Sequence, residues 1–275
     1  MHELNPAAPE DAQALLQEGQ QRLAAGDRAG AGAALLRARA HPATRLAAHN
    51  LIEQNGLDGA FATMFGLDCR IAPQDDIFHF FAGHPTSNNP LRDYLADGWR
   101  TLAELMLLLE RADRPLARID AVLEFASGHG RFTRHLVKAI GAERVTVSDV
   151  VADAVDFSRR AFGVQGFVSH AVPEQLAWPR RYDLVFVLSL FSHLPRGSWA
   201  RWLARLWDAV APGGLLVFST HGVEAARRAG VTLDGEGYFF AASSESNAID
   251  AQEYGTTFTD EDFVRARVAE LAGEP

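Results

Sequence analysis

Apolar residues recur along this chain with two different periods, and the change from one to the other marks its organisation. Over residues 9–54 the pattern is helical. One helix is expected over 11–25, a break at Gly26-Asp27, a second helix over 29–40, a stop at Pro42 and a third helix over 43–54. Between 56 and 90 the periodicity lapses, with Phe61, Phe65, Ile77, Phe78, Phe80 and Phe81 scattered among Gly, Pro, Asp and His. Residues 91–112 are a long helix whose Tyr94, Leu95, Trp99, Leu102 and residues 105–109 give a wide apolar face. Beyond it, short apolar runs of strand length alternate with helical stretches. Strands are expected at 119–125, 144–150, 166–169, 182–188 and 215–219, and helices from Arg131, over 151–162 and over 199–210. Residues 237–242 read as a short strand, 254–258 as a loop or edge, and 260–271 as a helix capped by Thr259 or Asp260.

The chemistry concentrates where the first of these strands ends. An apolar run, a turn Ala126-Ser127-Gly128-His129-Gly130 and a helix with Phe132, Leu136 and Ile140 on one face form half of a nucleotide-binding unit. Glycines there let the backbone approach a ligand closely. A dinucleotide fingerprint would place a third glycine at Thr133, so the spacing argues against a nicotinamide cofactor. Asp149 closes the second strand nineteen residues after Gly130, where an acid can accept hydrogen bonds from ribose hydroxyls.

The stretch Glu124-Phe125-Ala126-Ser127-Gly128-His129-Gly130 resembles motif I of the class I S-adenosylmethionine-dependent methyltransferases, with alanine for the first glycine. The apolar run 182–188, the following Ser192-His193-Leu194-Pro195 and the Pro212-Gly213-Gly214 turn before a fifth strand resemble that family too. The resemblance covers roughly residues 91–262. It implies an α/β fold, a Rossmann-like doubly wound and mostly parallel sheet, here with an N-terminal α-helical appendage. It also implies S-adenosylmethionine as cofactor, held by Tyr94, Glu124, Ala126, Ser127, Gly128, Gly130, Asp149, Val150, Ala171, Leu188 and Ser189. Tyr94 with Gly98 resembles a Y-x-x-x-G pattern seen before the first strand, core packing being the alternative for Tyr94. His129 is expected to pack beside the cofactor. The family's sheet normally ends with two further strands, so 237–242 and 254–258 either supply them in an altered order or the sheet is truncated, the second being expected.

Methyl transfer needs a base only where the acceptor is a hydroxyl or a protonated amine. His193 and His221 are the candidate bases, because both follow strands and imidazole titrates near neutral pH. Glu245 and Tyr254 are candidates to line the acceptor pocket; Phe239 and Phe240 read as core or lid. The expected activity is methyl transfer to an O or N of a small-molecule, sugar or lipid-linked acceptor. The rival readings are a noncatalytic S-adenosylmethionine-binding or scaffold protein and an NAD(P)-dependent oxidoreductase.

Composition narrows this further. A net charge of −9 argues against a nucleic-acid surface, which calls for clustered Lys and Arg. Cys69 is the single cysteine, and His79 and His84 lack a carboxylate at ligand-like spacing, so neither a disulfide nor a metal site is expected. With no leader and no membrane-length apolar run, a cytoplasmic location is expected. Three segments follow: residues 1–56, a helical appendage whose Gly19, Ala31, Leu35 and Ala38 resemble one tetratricopeptide unit; 57–90, a linker or cover; and 91–275, the methyltransferase domain. The helical appendage is a candidate docking surface for a protein partner or a homodimer mate.

Overall fold

The computed structural model describes residues 11–243 and 252–272. It divides into two compact units, residues 1–75 and 76–275, with the boundary inside the aperiodic stretch.

The first unit is built from α1 (Ala12–Ala24), α2 (Arg28–Ala40), α3 (Arg45–Asn55) and α4 (Phe61–Phe65). Asp11 and Asp27 cap the first two helices by accepting from Gln13 N and Gly30 N, at 3.0 and 2.9 Å. Gly19 lets α1 close on α2, since a Cβ there would sit 2.5 Å from the Leu35 side chain. Leu15, Leu16, Leu35, Ala38, Ala48 and Ile52 form the core. Polar side chains of α3 then fasten the chain that follows. Asn50 bonds Ile71 through both its backbone N–H and C=O (3.0 and 2.7 Å), and His49 meets the Cys69 carbonyl at 2.7 Å.

The second unit opens with α5 (Asp76–Gly83) and α6 (Pro90–Arg111). Neither α4 nor α5 was expected from the sequence: each is too short for periodicity to reveal it. α6 buries Leu91, Tyr94, Leu95, Leu102, Leu105 and Leu109. The expected apolar face was too wide, because Trp99, Met106, Leu107 and Leu108 lie exposed.

There follow β1 (Val122–Phe125), α7 (Thr133–Ile140), β2 (Val145–Asp149), α8 (Ala152–Phe162), β3 (Gln165–Val168), β4 (Tyr182–Val187), α9 (Arg196–Asp208) and β5 (Val210–Phe218). The five strands make one parallel sheet in the order β3-β2-β1-β4-β5. Every residue of β1 is buried, as a strand covered on both faces requires. Leu123, Phe125, Val185 and Val187 pack with Trp199, Trp202 and Leu206 on one face, and Val122, Val147, Leu184 and Phe186 with Leu105, Phe132 and Leu136 on the other. The Pro-Gly-Gly stretch is not a turn ahead of β5 but a bulge within it. Tyr182 pairs with Val210 and Leu184 with Leu215, so the residues between loop out, Gly213 at φ +75°.

α10 (Val223–Arg228), β6 (Tyr238–Ala241), β7 (Thr256–Thr259) and α11 (Glu261–Ala272) complete the unit. β6 and β7 do not extend the main sheet in an altered order. They pair antiparallel with each other in a separate ribbon, and among the described residues the main sheet holds five strands. Asp260, not Thr259, caps α11 by accepting from Phe263 N at 2.8 Å.

Candidate functional site

Parallel pairing brings the strand ends level. Phe125 lies opposite Ser148 on one side and Val187 on the other, and Val187 opposite Phe218. The residues that follow therefore share one edge: Ala126 after β1, Asp149 and Val150 at β2, Leu188 and Ser189 after β4, and Ser219 to His221 after β5. The strand order reverses between β1 and β4, which is where open α/β sheets bind ligands.

The turn after β1 is held in left-handed conformations at Ala126 (φ +57°), Gly128 (+53°) and Gly130 (+80°). Gly128 faces open space, since a Cβ on it would meet nothing within 4 Å. Its N–H donates to Asp149 Oδ2 at 2.8 Å, and Val151 N–H donates to Oδ1 at 2.9 Å. Each carboxylate oxygen retains capacity for another donor. Burial pushes the Asp149 carboxyl above its ordinary pKa, and these two N–H groups oppose the shift.

Ala126 holds a left-handed backbone that glycine would adopt without strain. Ala126→Gly should leave stability within about 1 kcal/mol of the parent. Relief of about 1–2 kcal/mol of strain is offset by roughly 0.5–1 kcal/mol of extra chain entropy. Thermal unfolding checks this, and a loss of several kcal/mol would show that the methyl group itself is needed for packing.

Beneath the turn, Glu124 is fully buried and burial pushes its carboxyl up to about 8. Thr133, at the place of the absent third glycine, donates to its Oε2 at 2.7 Å. Sequence reasoning noted Thr133 as a departure and missed this partnership. It missed Arg134 altogether. Arg134 is buried, donates to the Gly130 carbonyl at 3.0 Å and to the Tyr94 hydroxyl at 3.4 Å, and lies over the rings of Tyr94 and Phe162. Tyr94 is fully buried and packs edge-on against Phe78 and Phe81, so the structure links it to the glycine turn through Arg134. Gly98 has a steric role: a Cβ would lie 2.2 Å from the Arg131 carbonyl of the turn into α7. His129 bonds Asp153 at 3.1 Å and approaches Phe157.

Val150 and Ala171 are exposed at the same edge, Leu188 and Ser189 half-buried. Ser189 is left-handed (φ +67°), and its N–H donates to Ser219 Oγ at 2.8 Å, tying the ends of β4 and β5. Ser127 donates its N–H to the Ser148 carbonyl at 3.2 Å.

The two histidines come together. Their rings lie 6.1 Å apart, and Tyr254 stacks on His193 at 4.4 Å and 17°. His193 is buried with Nδ1 2.6 Å from the Gly255 carbonyl, while His221 is half-buried against Phe258. Glu245, the other candidate for the acceptor side, lies outside the described residues. Among the described residues no cluster of His, Cys, Asp and Glu is arranged to hold a metal ion, and no helix is long and apolar enough to cross a membrane.

Residues 122–214 match the family described as "Methyltransferase domain". The chain is 34% identical over 118 residues to Nodulation protein S of Rhizobium tropici, covering 42% of this chain and 48% of that one. It is 27% identical over 126 residues to malonyl-[acyl-carrier protein] O-methyltransferase of Chlorobium luteolum, covering 44% and 47%. The chain thus spans about half the length of the curated relatives it matches. Among solved structures, magnesium protoporphyrin IX methyltransferase from Synechocystis superposes with a TM-score of 0.46 at 16% identity, over 71% of this chain and 82% of that one. Residues 122–214 thus match a methyltransferase domain, and the five-stranded parallel sheet that holds them runs in the order β3-β2-β1-β4-β5.

Proposed function

We propose that this protein is an S-adenosylmethionine-dependent methyltransferase acting on an O or N of a small-molecule, sugar or lipid-linked acceptor. The observation that carries the reading is the latch between Gly128 N–H and Asp149 at 2.8 Å. It joins the open, left-handed turn after β1 to a buried carboxylate at the end of β2. That arrangement fits the cofactor: the bare backbone at Gly128 admits close approach, and Asp149 has lone pairs left for ribose hydroxyls. Ala126, Ser127, Gly128 and Gly130 would cradle the amino-acid end, with Val150 and Ala171 beside the adenine and Leu188 and Ser189 beside the sulfonium. When bound, the cofactor supplies a methyl group already activated by positive charge.

The chain's own work is then chiefly positioning. His193 or His221 accepts the proton of a hydroxyl or ammonium acceptor. One relative is named for O-methylation of a carrier-bound malonyl group, which supports an oxygen acceptor without selecting it. Calorimetric titration with S-adenosylmethionine, S-adenosylhomocysteine and NADH tests the reading. The first two should bind, and Asp149→Ala should weaken them by about 10–100-fold, the value of one or two charge-assisted hydrogen bonds. Tight NADH binding would sink it. Cofactor binding with no transfer across an acceptor screen would favour a noncatalytic role.

A further inference from the structure

Among the described residues three that are not glycine hold a left-handed backbone: Asp113 after α6, Ala126 after β1 and Ser189 after β4. The last two flank the point where the strand order reverses. L-residues adopt this conformation at a cost, and they keep it only where surrounding contacts over-determine it.

At Ser189 (φ +67°) both peptide groups are pinned by serine side chains. Its N–H donates to Ser219 Oγ at 2.8 Å, and its carbonyl accepts from Ser192 Oγ at 2.6 Å. Ser192 is itself buried, and its carbonyl accepts from Thr257 N–H of β7 at 2.7 Å, so the second anchor is fixed in turn.

The bond to Ser219 stands in for a rung of the sheet. Val187 lies opposite Phe218, and Ser219 N–H donates to the Val187 carbonyl at 3.1 Å. The next rung of a parallel ladder would run from Ser189 N–H to the backbone carbonyl just beyond β5. The Ser219 side chain takes that N–H instead. The chain after β4 can therefore leave the strand direction at Ser189 and still be tied to the neighbouring strand. A hydroxyl suits this task, since its oxygen accepts at the reach of a single Cβ–Oγ bond.

We infer that Ser219 is a positioning residue, whose hydroxyl holds Ser189 in its left-handed turn and so sets the peptide after β4 against the sulfur end of the cofactor. Ser219 itself need touch neither the cofactor nor the acceptor. The inference rests on the proposed methyltransferase reading, in which Leu188 and Ser189 lie beside the sulfonium.

Calorimetric titration of the full chain with S-adenosylhomocysteine, and with adenosine, which lacks the sulfur end, tests it. Ser219→Ala should weaken S-adenosylhomocysteine by about 5–10-fold, the scale of one hydrogen bond, and adenosine by less than about twofold. Ser219→Thr keeps the hydroxyl and should bind within about twofold of the parent. Glycine takes a left-handed backbone freely, so adding Ser189→Gly to Ser219→Ala should recover most of the lost affinity. A direct contact from Ser219 to the ligand, or a general loosening of the fold, would not be relieved by a change at position 189. Unaltered S-adenosylhomocysteine binding by Ser219→Ala overturns the inference. Equal weakening of adenosine does so too, as does a double variant no better than Ser219→Ala alone. Where Ser219→Ala fails to fold, Ser219→Cys, of nearly the same size but with only a weak acceptor, carries the same comparisons. A parent that binds neither compound overturns the methyltransferase reading and this inference together. A parent that binds both while the variants fail these comparisons overturns this inference alone.

Discussion

Gly130→Ala should destabilise the second unit by about 3 kcal/mol and lower its unfolding temperature by roughly 6–12 °C. Two costs combine. The backbone at Gly130 is left-handed (φ +80°), which charges an L-residue about 1–2 kcal/mol. The new Cβ would also lie 2.3 Å from Phe162 Cε2. Phe162 cannot swing aside easily, for Arg134 lies over its ring at 5.0 Å and Phe157 abuts it at 5.8 Å. Overpacking of that kind adds about 1–3 kcal/mol. Gly128→Ala is the control: φ is +53°, but nothing surrounds its Cβ, so only the conformational cost applies. Calorimetric unfolding of the pair decides it, and equal losses would show that the Phe162 contact relaxes away.

Glu124→Gln should gain stability relative to the parent as pH rises. In the folded chain the Glu124 carboxyl is raised from 4.5 to about 8 by burial, with the charge of Asp149 adding to the shift and the Thr133 hydroxyl and Arg134 opposing it. Between those values the folded state keeps a proton that the unfolded state has lost. The stability this group contributes is therefore complete below pH 4.5 and falls by about 1.4 kcal/mol per pH unit until pH 8. Glutamine has nearly the same shape, accepts the Thr133 hydrogen bond and cannot ionise. The variant should gain on the parent by about 4 kcal/mol between pH 5 and pH 8. Paired urea denaturations across that interval measure it; parallel curves for the two proteins would mean that Glu124 does not titrate there.

The glycine turn, Asp149 and the strand–helix alternation were legible because each is local. A left-handed turn needs glycine or tolerates alanine, and a strand covered on both faces must be apolar throughout. What failed depended on partners distant in sequence. The Pro212-Gly213-Gly214 stretch looks like a turn until the pairing of β5 with β4 shows the strand resuming on both sides of it. Trp99 and Leu107 counted as core because α6 holds more apolar residues than its covered face can use. For His193, position after a strand was readable, but the Gly255 carbonyl that orients it lies 62 residues away. Arg134 is a charge in a helix with no motif to mark it, and only the rings of Tyr94 and Phe162 explain its burial. The short helices α4 and α5 lie below the length that a 3.6-residue period needs to declare itself.

The bulge in β5 also bears on how the chain avoids sticking to its own kind. Among the described residues β5 is an outer strand of the sheet, and it carries Leu215, Leu216, Val217 and Phe218 in succession, only partly covered. A run of that kind on a sheet edge is a template for intermolecular pairing and, when unfolding bares it, a seed for aggregates. Its N-terminal flank is Pro212, which has no N–H to offer an incoming strand, and Gly213, whose left-handed turn breaks the straight ladder. Its C-terminal flank is Ser219, whose hydroxyl is already engaged with Ser189. The apolar run is thus kept to four residues, shorter than the six or seven that stack readily into fibrils.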